Sequence, residues 1–155
     1  MILLRSQQVA TLLAFCTACT STSHDVSGTW QARVTDSATC PYCNALFGFK
    51  LEQSSAGAIK GLAVSDVIYK DDAASGVADV TGFRRGDSVQ VTLIFEGHAN
   101  QEFVGIVDGR SSSIRGEMRS LDSGSRFAPP AFVLTFVRSR LDRRLETVLS
   151  EAKDP

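Results

Sequence analysis

The sequence is short of the residues that most often carry chemistry. In 155 residues it has one tryptophan, two histidines, two methionines, four prolines and four cysteines. His24 and His98 lie far apart, and a pair of cysteines is only half of a tetrahedral zinc set, so no metal or other cofactor is expected. Positive charge is not in excess, because sixteen Lys and Arg stand against seventeen Asp and Glu, a formal net charge of −1. A chain without a broad positive field has no electrostatic grip on nucleic acid, which is excluded as a partner. No apolar run is long enough to cross a bilayer as a helix. A serine-histidine-carboxylate arrangement and a phosphate-cradling glycine loop are also missing. Asp79, Glu102 and Glu117 form no pair at a recognisable spacing. No enzymatic activity is expected on these grounds. What remains is 43% hydrophobic and 21% charged, enough for one core and too short for two comfortable domains.

The first residues read as an export signal. Met1 to Ala18 carries one charge, Arg5, then an apolar run from Val9 to Phe15 and the small-residue end Cys16-Thr17-Ala18. With Cys19 following, this resembles a bacterial lipoprotein signal, in which cleavage precedes a cysteine that becomes the lipidated N-terminus. Cys16 stands where such signals usually carry an aliphatic residue. The resemblance implies a signal peptide over 1–18, lipidation of Cys19 and anchoring in the outer membrane, facing the periplasm. Thr20 after the cysteine fits that sorting pattern. The other reading is an ordinary periplasmic or secreted protein cut near Ala18. Residues 19–27 are then a polar tether with no packing face.

From Gly28 onward the chain alternates with period 2. Trp30, Ala32 and Val34 face one way, and Thr29, Gln31 and Arg33 the other. The same pattern returns in Ala45/Phe47/Phe49/Leu51, in Leu62/Val64, weakly over Val77 to Phe83, and most clearly in Val89/Val91/Leu93/Phe95. Phe103/Gly105/Val107, Ile114/Gly116/Met118 and Phe132/Leu134/Phe136 complete the series. Turn clusters separate them at Ser54–Gly57, at Asp71-Asp72 with Ser75-Gly76, at Arg85-Gly86-Asp87, at Gly97–Asn100 and at Asp108-Gly109. Leu121 to Pro130 reads as a longer loop. Arg85-Gly86-Asp87 spells an adhesion tripeptide but is what a turn wants. Eight short strands at regular spacing predict an all-β fold, an eight-stranded antiparallel up-and-down barrel over residues 28–138. Its interior glycines permit the coiling that closure needs. Leu141, Leu145, Val148 and Leu149 then follow one helical face. A short helix within 139–155, capped by Ser139 or Asp142, is expected to dock on the barrel wall.

Gly28-x-Trp30 at the start of the first strand, an eight-strand meander and Arg138 ending the last strand resemble the calycin group, the lipocalins and avidins. The resemblance implies that Arg138 lies across Trp30 and closes one barrel end. It also implies a carrier of a small hydrophobic ligand as an alternative function. The Thr-Asp motif of lipocalins and the avidin signature are absent, so the barrel carries over and a ligand does not. Trp30, Phe47, Phe49, Leu51, Leu93, Phe95, Phe103, Met118, Phe132, Leu134 and Phe136 are expected to point inward and fill most of the interior.

Two further features carry candidate chemistry. Cys40-Pro41-Tyr42-Cys43 is similar to the glutaredoxin active site, which implies a thiol-disulfide oxidoreductase as another alternative. That reading requires a helix over residues 41–52, to lower a thiol pKa. The Phe47/Phe49/Leu51 alternation argues for a strand instead. The competing reading is a Cys40–Cys43 disulfide pinning the first hairpin, worth roughly 2 kcal/mol for so short a loop. Arg138, Arg140, Arg143 and Arg144 form a basic cluster, suited to anionic headgroups or to a solvated helix face. The function expected from all of this is a non-enzymatic cell-envelope lipoprotein with a binding or structural role. Its partners are the membrane, through the lipid, and an envelope protein or a small hydrophobic ligand.

Overall fold

The structure, a computed structural model, describes residues 25–37, 40–69, 72–96, 99–109, 112–121 and 131–152. Eight strands follow one another: β1 (Gly28–Ser37), β2 (Cys40–Gln53), β3 (Ala58–Tyr69), β4 (Asp72–Arg85), β5 (Ser88–Phe95), β6 (Gln101–Asp108), β7 (Ser113–Ser120) and β8 (Phe132–Arg138). Each pairs antiparallel with its sequence neighbour, and β8 returns to β1, so the sheet is a closed up-and-down barrel. The closing seam is short. Among the described residues, Trp30↔Arg138 and Gln31↔Val137 pair across it.

The inward positions make one continuous core. Trp30, Ala32, Ala45, Phe47, Phe49, Leu51 and Ile59 join residues of the other five strands in it. At its centre Phe136 stacks on Phe49, centroids 4.4 Å apart and planes 22° apart. Phe103 meets both rings edge-on, at 5.2 Å from Phe136 and 5.9 Å from Phe49. The residues expected inside are in or against this core, with Phe95 only partly buried. The side chain of Phe132 lies outside the described residues. The outer wall carries exposed Lys50, Lys60, Asp79, Arg115 and Glu117. That polarity is the reverse of a membrane-spanning barrel, which is apolar outside and polar within. No described helix is long and apolar enough to cross a membrane.

One part of the wall is buried on both faces. Helix α1 (Arg143–Glu151) starts at Asp142, whose side chain accepts from the Arg144 N–H at 3.0 Å. Leu141, Leu145 and Leu149 seat it on Leu46 of β2 and Val64 of β3, with Leu62, Val77 and Val148 alongside. Leu62 and Val64 thus share a face, and that face is the outer one. Gly48 makes the seat possible, because a Cβ there would come within 2.5 Å of Leu141 Cδ2 and 3.1 Å of Leu145 Cδ1. Polar contacts fix the helix's position: Arg144 reaches Asp66 at 2.5 Å, and the Asp142 N–H donates to Gln31 Oε1 at 2.5 Å.

Two expectations need correction. The turn placed at Asp71-Asp72 with Ser75-Gly76 is shorter than expected: the chain reverses between Tyr69 and Asp72, Asp71 lies outside the described residues, and Asp72 to Gly76 is strand, paired with Ser65 to Tyr69. Two long strands in unbroken register outweigh the turn preference of their letters. Residues 25–27 are also no free tether, because Val26 is 0% exposed and belongs to the core. The reason lies in how the barrel's base is sealed.

Candidate functional site

All four odd-numbered strands start at the same barrel end, at Gly28, Ala58, Ser88 and Ser113, and the even-numbered strands finish there, β8 at Arg138. The segment Asp25–Ser27 crosses beneath it. Val26 fills the opening, its N–H donating to Gln53 Oε1 at 3.2 Å and its carbonyl accepting from Trp30 Nε1 at 2.8 Å. The Gln53 N–H donates to Ser27 Oγ at 2.8 Å. A buried indole needs a partner for its one donor, and the backbone of Val26 provides it.

Arg138 locks the other side. Its Nη1 donates to the Ser27 carbonyl at 2.7 Å and its Nη2 to the Asp25 carbonyl at 2.8 Å. The guanidinium carbon sits 4.5 Å from the centre of a Trp30 ring. Such a contact is worth about 0.5–1 kcal/mol at an exposed site like this one. Gly28 has φ of 123°, and a Cβ there would lie 3.0 Å from Arg138 Nη1. Glycine is therefore required by the backbone, and any side chain there would also press on the guanidinium. The structure brings Gly28, Trp30 and Arg138 into one cluster.

Two members of this base escaped sequence reasoning. Val26 is a lone apolar residue in a polar stretch, with no periodicity to reveal it. Arg84 is on the inward register of β4, and its side chain is 3% exposed. Its Nε donates to the Gly86 carbonyl at 2.7 Å, and its Nη2 stands 3.8 Å from Asp87. Its Nη1 has no hydrogen-bond partner. Nearby, the Asp25 carboxylate accepts from the Ser27 N–H and hydroxyl at 2.8 and 2.7 Å. Those bonds hold its pKa below the usual carboxylate value, with help from the charges of Arg138 and Arg84. A cleft of about 170 Å³ opens beside Trp30, Ser112 and Arg138. It is smaller than the ~300–1,000 Å³ of an ordinary ligand pocket. The base is built as a seal.

The other candidates are dispersed. Of the basic cluster, Arg138 is spent on the indole and Arg144 on Asp66, which leaves Arg140 and Arg143 exposed. Gly86 and Asp87 form the tight turn of the adhesion tripeptide, and Arg85 lies over the Phe83 ring at 4.9 Å. Cys19 and His24 lie outside the described residues, as does His98. The side chains of Cys40 and Cys43 do too, but their backbone is the start of β2. A glutaredoxin-like site would open a helix there, whereas residues 40–53 are strand. Three residues of strand span about 10 Å, more than the ~4.4–6.8 Å between Cα atoms that a disulfide bridges. The backbone over residues 40–43 is strand, and the side chains that an expected Cys40–Cys43 bond would join lie outside the described residues. Among the described residues no three His, Cys, Asp or Glu side chains gather to hold a metal.

At the opposite end, Gln101 and Ser120 face each other across β6 and β7. Gln101 Oε1 and Ser120 Oγ are buried without partners. On the outer wall beside them, Glu102 accepts from Gln90 Nε2 at 2.5 Å and from Arg119 Nε at 2.7 Å, with a second, shorter bond from Arg119 Nη2. The Gln90 bond, then those from Arg119, pull the Glu102 pKa below its ordinary 4.5. A carboxyl with a lowered folded-state pKa stabilises the fold above its unfolded pKa and loses that contribution as pH falls. Glu102→Gln is therefore expected to lower the urea midpoint above pH 4.5. The gap to wild type should close as the pH drops below that value. A gap constant across pH would show that the charge contributes nothing.

Fold and seal define a class, a closed eight-stranded up-and-down barrel whose one tryptophan stops an end beneath an arginine. No protein-family model, curated protein or solved structure matched the chain.

Proposed function

We propose that this chain is a non-enzymatic envelope lipoprotein, a calycin-like barrel held to the outer membrane by acyl chains on Cys19 and acting through its outer surface as a binding or structural module. The filled interior supports the last part. The stacked rings of Phe49, Phe103 and Phe136 occupy the space a carried ligand would need. The signal-like residues 1–18 and the Ala18-Cys19 junction support export and lipidation. Five residues separate Cys19 from the sealed base at Asp25, six steps with a reach of at most about 22 Å, so the base would lie close to the bilayer. Several acyl chains hold such a protein stably where one would not.

The test is extraction from the cell envelope followed by intact-mass measurement. The mature chain should begin at Cys19 and carry acyl mass, and Cys19→Ala should leave the protein unacylated and free of the membrane. An unmodified chain that begins elsewhere would overturn the reading. A second reading, a carrier of a small apolar molecule, draws on one observation. The unpartnered Gln101 and Ser120 atoms at the loop end would accept from a ligand's donor. Native mass spectrometry of the same extract separates the two, since a carrier retains a small-molecule adduct.

A further inference from the structure

Exposed large apolar side chains gather on one wall. Of the seven among the described residues, Val104 and Ile106 lie on β6 and Val133 and Val137 on β8. Between them β7 presents Arg115, cross-strand from Ile106, and Glu117, cross-strand from Val104. Beside this ridge runs a groove of about 310 Å³ lined by Val104, Glu117 and Arg119. Ile106, 57% exposed, stands at the level of Arg115, one pair beyond the Gly105↔Gly116 row.

We propose that two copies of this chain pair through this wall, strands reversed, about a two-fold axis that crosses β6 and β7 at the Gly105↔Gly116 row. Charge selects the axis. A two-fold lying along the strands would set Arg115 on Arg115 and Glu117 on Glu117, which is repulsive. A two-fold lying across them exchanges positions on either side of the Gly105↔Gly116 row, so Arg115 meets Glu117 of the second copy and the reciprocal pair forms with it. A closed, self-complementary contact of this kind is the commonest oligomeric arrangement. The same operation puts Ile106 of each copy over Val104 of the other, in the groove beside Glu117. Knob and groove thus agree with the charges, although neither was used to choose the axis. Two strands of eight residues and one of seven present roughly 400 Å² of wall. That is about half the ~800 Å² per partner of a standard interface, so the pair belongs to the weak, reversible class.

Sedimentation velocity of the purified chain between about 10 μM and 1 mM, the range of weak association, tests this. A concentration-dependent monomer–dimer equilibrium is expected. Arg115→Glu and Glu117→Arg each turn both pairs repulsive and should weaken association about tenfold or more. The double variant R115E/E117R restores complementarity and should recover affinity to within about threefold of wild type. Ile106→Asp should abolish the dimer outright. All three residues are exposed, and an unchanged far-UV circular dichroism spectrum confirms that each variant folds. A monomer throughout the range would overturn the proposal. So would a dimer that the single substitutions leave intact, or a double variant as weak as either single one.

Discussion

Trp30→Ala is expected to remove about 3–5 kcal/mol of unfolding free energy, the cost of truncating a fully buried large aromatic. The side chain is 1% exposed, so nearly all of its surface is core contact. Three further losses attend it. The Val26 carbonyl loses its indole donor, Arg138 loses the ring beneath it, and Val26 keeps only its N–H bond to Gln53 of the two that tie it to the base. The seam adds to the effect, because Trp30↔Arg138 is one of two residue pairs that join β1 to β8 among the described residues. With a urea m-value of about 1–3 kcal/mol/M, the midpoint should fall by roughly 1–5 M. Circular dichroism should follow it, since the variant has no indole fluorescence. Arg138→Met keeps the aliphatic stem over the ring and should cost clearly less. A Trp30→Ala loss below about 1 kcal/mol, the size of an ordinary surface change, would mean that the indole does not hold the base.

Phe136→Ala should cost as much, about 3–5 kcal/mol, for a different reason. Phe136 is 0% exposed and is the ring that touches both Phe49 and Phe103 most closely. Each aromatic pair is worth about 0.5–1.5 kcal/mol beyond its buried area. Phe49 and Phe103 cannot both move into the gap, because each is fixed on its own strand opposite the other. Against a total of about 5–15 kcal/mol for a domain, the loss leaves the barrel marginal. Phe136→Leu, which fills part of the space, should recover a substantial share. Equal midpoints for the two variants would show that the site collapses freely and that the ring cluster is not close-packed.

The barrel was legible because its inward positions alternate in β1, β2, β5 and β8 without interruption. Trp30 and Arg138 were legible as a pair only through the resemblance to calycins, since nothing local joins residues so far apart. Three features were illegible for identifiable reasons. The alternation that sends Phe47 inward sends Leu46 and Gly48 outward, and only the later docking of α1 turns that outer face into a second small core. Ser75-Gly76 reads as a turn because those residues favour one, and it is the pairing with Asp66 and Ser65 that makes it strand. Val26 and Arg84 reverse the local rule: one apolar residue stands among polar ones, and one cation sits at an inward position. Both belong to the base, where the fold joins distant parts of the chain. The cap at Asp142 was one of two candidates, and Ser139 lost because the chain crosses Leu141 before it coils.

The lock on the base has a consequence in time. Arg138 lies 111 and 113 residues beyond the carbonyls it holds at Ser27 and Asp25. At about 5–20 residues per second of synthesis, the first residues wait roughly 6–22 s for the arginine that secures them. Until it emerges, the indole and Val26 have no finished cavity to enter, and β1 keeps an unpaired edge open to other chains. A chain handed over before its last strand is made is thus an open ribbon with a sticky margin.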